Sequence, residues 1–274
     1  MRNKIDNNMI QYERPGPFDI ESVFNQFVKE FGGELVNTLI PKSDKLNADY
    51  VFKNENIIAE LKCFRKDMFT EEDDAERMQT LLKKWTAKGI FKDKKTIKQL
   101  MRYRQLPKEC IHDLVQAVRK TIDRIVHHAN KQIHETKKEL NMLQASGLLL
   151  LCNDGNYFLN NIQFMDLICN IMMCKYMNSD IDGFVYFTVN QVTRSQEDEL
   201  DHIIWIPSYR KDGDVLGNFV NNLGKDFMGN FYTNLTGITN SKKFVTEDLN
   251  AGLKHIKKLK YLPKHIAYNK KGNC

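Results

Sequence analysis

Two acids and a lysine stand at spacings that bring them together on a hairpin. Residues 47–62 read NADYVFKNENIIAELK. The apolar runs on either side of Asn54-Glu55 read as two short strands joined by a polar turn. With those two residues as the loop, Lys53 pairs with Asn56, and counting back sets Asp49 opposite Glu60. Directly opposed residues of antiparallel strands hold their Cβ atoms roughly 5 Å apart on one face. Lys62, two residues past Glu60, shares that face. Carboxylates this close repel unless a cation lies between them. Oxygen ligands with room for water suit a hard cation such as Mg²⁺. The same three residues would equally suit a cross-strand salt bridge on a surface hairpin.

The elements that must position them follow from periodicity. Residues 18–31 predict a helix capped near Asp19, with Val23, Phe24, Phe27, Val28 and Phe31 as its apolar stripe and Gly32-Gly33 as its stop. Residues 34–40 predict a strand ended by Pro41, and the hairpin strands fall near 48–53 and 56–63. Residues 67–107 form a polar, mostly helical insertion. A long helix spans 111–143, with Ile111, Leu114, Val115, Val118, Ile122, Ile125, Ala129, Ile133, Leu140 and Leu143 as its apolar positions. Buried strands are expected at 147–152 and 182–190, with a helix at 161–176 between them. An edge strand near 202–207 and short helices near 215–227 and 246–259 complete the reading. This order predicts an α/β protein with a central mixed sheet flanked by helices.

The chain has 274 residues, 42% hydrophobic and 28% charged, within the range of a folded domain. The expectation is one domain over 1–274, carrying the insertion 67–107 and a C-terminal extension 191–274. No apolar run reaches a membrane span. The polar start lacks an apolar signal core. Six scattered cysteines without a CxxC pair suggest reduced thiols, no zinc site and a cytoplasmic setting.

The net charge of +6 is unevenly spread. Residues 83–108 hold ten Lys or Arg and one acid, and residues 254–271 hold seven lysines and no acid. Such segments suit a polyanion partner, although lysine runs also serve as solvated helix faces. Lys92, Lys94, Lys95 and Lys98 are the candidate nucleic-acid contacts. Trp85, Phe91 and Tyr103 interleave with the basic residues. They suit either base stacking or the small core of a helical hairpin, and the need of helices for an apolar face favours the core.

Asp49-x10-Glu60-x-Lys62 on a hairpin resembles the PD-(D/E)XK nuclease superfamily. Ala48 stands where its name-giving proline would be. The order helix, three strands, helix, strand also resembles that superfamily's core, over about 18–190, with the insertion after the motif strand. The resemblance implies a restriction-endonuclease-like fold and metal-dependent hydrolysis of phosphodiesters, most concretely by a DNA endonuclease of restriction or defence type. Its cofactor would be Mg²⁺ or Mn²⁺, held by Asp49, Glu60 and the backbone carbonyl of Leu61, while the Leu61 side chain packs in the core. Lys62 would orient the attacking water. Glu21 on the first helix would be a fourth catalytic residue or simply a partner of that helix's positive end, with Glu30 and Glu34 as competitors. Relatives often dimerise, so a homodimer is compatible. A non-cleaving nucleic-acid-binding module and a protein-binding adaptor remain as alternatives.

The long helix adds Gln116, Arg119, Lys120, Asp123, His127, His128 and Lys131 off its apolar stripe. Adjacent helical residues point about 100° apart, so His127 and His128 cannot both serve one site. No Ser/His/Asp set and no glycine-rich phosphate loop is present.

Overall fold

The computed structural model describes residues 19–40, 46–65, 75–91, 106–156, 159, 161–189, 193–194, 201–202, 204–210 and 214–231. Helix α1 (Ile20–Phe31) starts where Asp19 accepts the Ser22 amide (3.4 Å) and ends at Gly32, whose φ of 98° is left-handed. Glycine takes that conformation at no steric cost. Strand β1 (Glu34–Leu35) follows, then one short helix, α2 (Val36–Leu39), where a continuous strand was expected. Val36, Leu39 and Ile40 fit helical spacing as well as a strand; the Val36 amide still donates to the Asp49 carbonyl (3.0 Å), and the Ile40 amide on the Val36 carbonyl (2.9 Å) then closes a helical turn.

Strands β2 (Tyr50–Phe52) and β3 (Ile57–Phe64) form the hairpin. Helix α3 (Ala75–Ala87) belongs to the insertion, and α4 (Lys108–Glu139) is the long helix. Strand β4 (Ser146–Asn153), helix α5 (Asn161–Lys175) and strand β5 (Gly183–Thr188) alternate. Two-residue strands β6 (Thr193–Arg194) and β7 (Asp201–His202) pair with each other, apart from the main sheet. Strand β8 (Trp205–Tyr209) and helix α6 (Asp214–Asp226) complete the described chain, with a single π-helical turn at Phe227–Phe231.

The main sheet has six strands in the order β1-β2-β3-β4-β5-β8. β3, β4 and β5 are parallel, and the other pairings are antiparallel. The architecture is therefore α/β, with a mixed sheet between helical layers. On one face Val51, Ile58, Leu149, Leu151 and Tyr186 pack against α4 and α5. On the other, Tyr50, Phe52, Ala59, Leu61 and Leu150 pack against α1 and α6. β4 is buried along almost its whole length, as a strand covered on both faces must be.

Glycine allows one close approach at the start of β4. A Cβ on Gly147 would lie 1.9 Å from the Asp180 carbonyl oxygen and 2.9 Å from Ile133 Cγ2. That contact also fixes the direction of α4, whose C-terminal part lies beside the start of β4. Of the positions read as its apolar stripe, Ile111 and Leu143 are exposed instead. Val126 is buried at a position the stripe had omitted. Trp85 and Phe91 are buried with Cys110 and Leu114 in a separate small core between α3 and α4. They are core residues, and neither is free to stack on bases.

Cys63, Cys110, Cys152 and Cys169 are free thiols, whereas Cys174 is disulfide-bonded, against the expectation of reduced cysteines throughout. Among the described residues no helix is long and apolar enough to cross a membrane. Lys92, Lys94, Lys95, Lys98 and Tyr103, Pro41, the expected helix at 246–259 and the basic segment 254–271 lie outside the described residues.

Candidate metal and catalytic site

The hairpin has the register set by a two-residue loop. Tyr50 pairs with Ala59, Val51 with Ile58 and Phe52 with Ile57. One step further places Asp49 opposite Glu60, beyond the last ladder pair. The two residues bond across this opening. The Asp49 amide donates to Glu60 Oε2 (3.0 Å), and the Leu61 amide donates to Asp49 Oδ2 (2.9 Å). Lys62 Nζ forms an ion pair with Glu60 Oε1. All three motif residues therefore meet in one place.

Their burial differs in a way that matters for chemistry. Glu60 is fully buried, Asp49 is half-buried, and the Lys62 side chain is 27% exposed. Desolvation, then the charge of Asp49, pushes the Glu60 carboxyl up to about 8, although Lys62 opposes this. Burial also raises Asp49, against the Leu61 amide and Lys62, which lower it. One lysine thus faces two carboxylates in a poorly solvated opening, and the pair is short of positive charge.

The Leu61 side chain is buried against the α1 face, as expected. A residue's N–H and C=O point to the same side of a strand. The Leu61 amide turns toward Asp49, so its carbonyl faces the same opening. Two carboxylates and a carbonyl there fit a hard divalent ion, since Mg²⁺ is commonly bound through one or two carboxylates with water completing the shell. Among the described residues no group of three or more His, Cys, Asp or Glu is placed to hold a metal.

Glu21 is accordingly not gathered with Asp49 and Glu60. It acts on Asp49 electrostatically, yet among the described residues its ion-pair partner is Arg65, at 3.4 Å. Glu34 pairs with Lys53 at the turn end of the hairpin (2.9 Å), and Glu30 accepts from Gln26 (2.9 Å). Neither competitor is drawn to the site.

Helix α4 supports the site through residues other than those singled out from sequence. Gln132 donates to the Asn47 carbonyl (2.9 Å), Thr136 Oγ1 accepts the Ala48 amide (2.7 Å), and Asn47 donates to Glu139 (3.0 Å). These bonds fix the segment that delivers Asp49. Asp123 is bonded by Lys175 and Tyr176, Arg119 donates to Asn170, and Gln116 pairs with His112. Those groups tie α4 to α5 or to itself. His127 and His128 are both exposed. Arg65, at the end of β3, is the charged neighbour that sequence reasoning missed. It lies past the paired face of the hairpin and carries no periodic signal.

Compared with family models, curated proteins and solved structures, this chain matches none.

Proposed function

We propose that this protein is a metal-dependent phosphodiesterase of the PD-(D/E)XK type, acting on nucleic acid as a DNA endonuclease of restriction or defence type. The observation that carries this reading is the meeting of Asp49, Glu60 and Lys62 where the β2–β3 ladder opens. A surface salt bridge would not need a fully buried glutamate facing a second carboxylate, an arrangement that costs stability in the absence of a cation.

Asp49, Glu60 and the Leu61 carbonyl would hold Mg²⁺ or Mn²⁺. Such an ion, when bound, polarises a phosphoryl oxygen and lowers the pKa of a coordinated water. The chain's own residues do the rest. Glu60 ionises at the cost of releasing its proton to solvent. Asp49, with one oxygen fixed by the Leu61 amide, keeps its other oxygen in a set orientation. Lys62 places its ammonium between buried Glu60 and solvent, where it can hold the attacking water and offset the charge that grows on phosphate.

Incubating purified protein with plasmid in Mg²⁺ or Mn²⁺ tests the reading. Cleavage that requires the metal and disappears in Asp49→Ala is the expected result. Intact plasmid in both metals would favour a non-cleaving binding module or a protein-binding adaptor.

A further inference from the structure

One side of α4 is committed to the core, and the opposite side carries charge of a single sign. Ile122, Val126, Ala129 and Ile133 are buried with residues of the sheet. At about 100° per residue, Lys120, Arg124, His127 and Lys131 fall within an arc of about 60°, roughly opposite that buried row. All four are exposed. The helical rise of 1.5 Å per residue sets them along a ridge about 16 Å long.

The acids of α4 are engaged elsewhere. Glu109 pairs with Lys88, Asp113 with Lys84 (2.7 Å), Asp123 with Lys175 and Glu135 with Lys138 (3.8 Å), while Glu139 accepts from Asn47 (3.0 Å). Arg119, one position before Lys120, turns toward α5 and donates to Asn170 (3.2 Å). Among the described residues, none of Lys120, Arg124 and Lys131 has a carboxylate within ion-pair distance. Lys120 and Arg124 stand four residues apart, where like charges repel. A face that is merely solvated gains by alternating the sign of its charges at this spacing. This ridge forgoes that gain over three turns.

We propose that the ridge Lys120–Arg124–His127–Lys131 is a binding surface for the phosphates of one strand of a DNA duplex. This rests on the nucleic-acid partner of the reading above, and not on cleavage. Over about 16 Å of axis one strand presents about five phosphates. The long side chains of Lys120, Arg124 and Lys131 reach three of them, and the His127 imidazole adds an N–H donor between. Phosphate contacts carry no sequence information, so the ridge holds any duplex alike. The same helix, through Gln132 and Thr136, holds residues 47 and 48. The bound strand and the segment that delivers Asp49 are therefore referenced to one rigid element.

Anisotropy of a fluorescein-labelled duplex of arbitrary sequence, with the full-length chain in Ca²⁺, tests this. The combined variant Lys120→Gln, Arg124→Gln and Lys131→Gln keeps a good helix former at each position and removes three charges. Affinity is expected to fall about tenfold or more, and the slope of log affinity against log salt to flatten by about 2.7, at about 0.9 per phosphate. A control variant, Lys29→Gln with Lys53→Gln and Lys225→Gln, removes the same charge from exposed positions of α1, the hairpin and α6. Screening of those distant charges should keep it within about threefold of wild type. Equal losses in the two variants would overturn the proposal, and so would wild-type affinity in the α4 variant or a wild type that binds no duplex. Poly-glutamate that binds the wild type more tightly than the duplex does, and the α4 variant weakly, would also overturn it and assign the ridge to an acidic protein. Asp49→Ala separates the two readings. Ridge-dependent affinity without Asp49-dependent cleavage of plasmid sinks the nuclease reading alone, and Asp49-dependent cleavage without a ridge effect sinks the ridge alone.

Discussion

Asp49 and Glu60 brace each other's strands: the Asp49 amide is held by the Glu60 carboxylate, and the Asp49 carboxylate holds the amide that follows Glu60. The two acids are therefore part of the backbone geometry as well as of the chemistry. A change at either one alters both, and variants must be chosen with that in mind.

Lys62 offers the cleaner separation, because its charge touches Glu60 and not the backbone. Lys62→Ala is expected to lower the cleavage rate by about 10²–10³, the range for removing a group that stabilises developing charge. Duplex affinity in Ca²⁺ should remain within a few-fold of wild type. Single-turnover rates beside anisotropy read the two effects apart. Wild-type cleavage in this variant would show that the lysine serves only as a partner for Glu60.

The raised Glu60 carboxyl makes metal binding depend on pH. Below about 8 the ion must displace a proton. Mg²⁺ affinity is then expected to rise about tenfold per pH unit from 6 toward 8 and to level off above it. Calorimetry in two buffers of different ionisation enthalpy would count the proton released. An affinity that does not vary with pH over that span would contradict the burial of this carboxylate.

The same group sets a stability profile in chelator. Its folded pKa lies above the ordinary 4.5, so the folded chain binds the extra proton. Its contribution to stability is complete below about 4.5 and is lost as pH rises through about 8. Glu60→Gln should therefore flatten that decline, bringing Tm at pH 9 closer to Tm at pH 5 than in the wild type. Parallel declines in both proteins would show that other groups govern the profile.

One residue past Thr136 on α4, Lys137 is almost fully buried and pairs with Asp180 Oδ1 at 3.1 Å, while His134 meets Asp180 Oδ2 at 2.7 Å. Burial works to raise Asp180, but Lys137 and then His134 outweigh it and the carboxyl ends below its ordinary value. The sign is opposite to that of Glu60. This contribution is present above the ordinary Asp value and is lost as pH falls through the depressed one. Asp180→Asn is expected to cost about 2 kcal/mol at pH 7, in the range for hydrogen bonds to charged groups, and much less at pH 2.5. Urea titrations at both pH values check it.

The hairpin register could be counted from the turn because a period of two leaves no freedom once the loop is chosen. Leu61 inward and Glu60 on the Lys62 face follow from that one choice. Residues 34–40 were harder, since a short apolar run satisfies both helical and strand spacing. The turn is closed by the Ile40 amide on the Val36 carbonyl, while the Val36 amide still donates to the Asp49 carbonyl, a contact between segments distant in sequence. Glu21 was ambiguous for a similar reason. A first-turn acid looks the same whether it faces a helix end, a metal or an arginine, and Arg65 is 44 positions away. The contributions of Gln132 and Thr136 depend on how α4 lies across the sheet, which no local pattern encodes.

That placement of α4 gives the molecule a built-in ruler. Ile133 lies beside the start of β4, and the 15 residues back to Val118 span about 22 Å at 1.5 Å each. That is nearly the length of β4 itself, and Lys108–Ala117 adds about 15 Å of helix before it. Through Cys110 and Leu114 it carries α3 and its small core. The length of one helix therefore sets how far this small core stands from the start of β4.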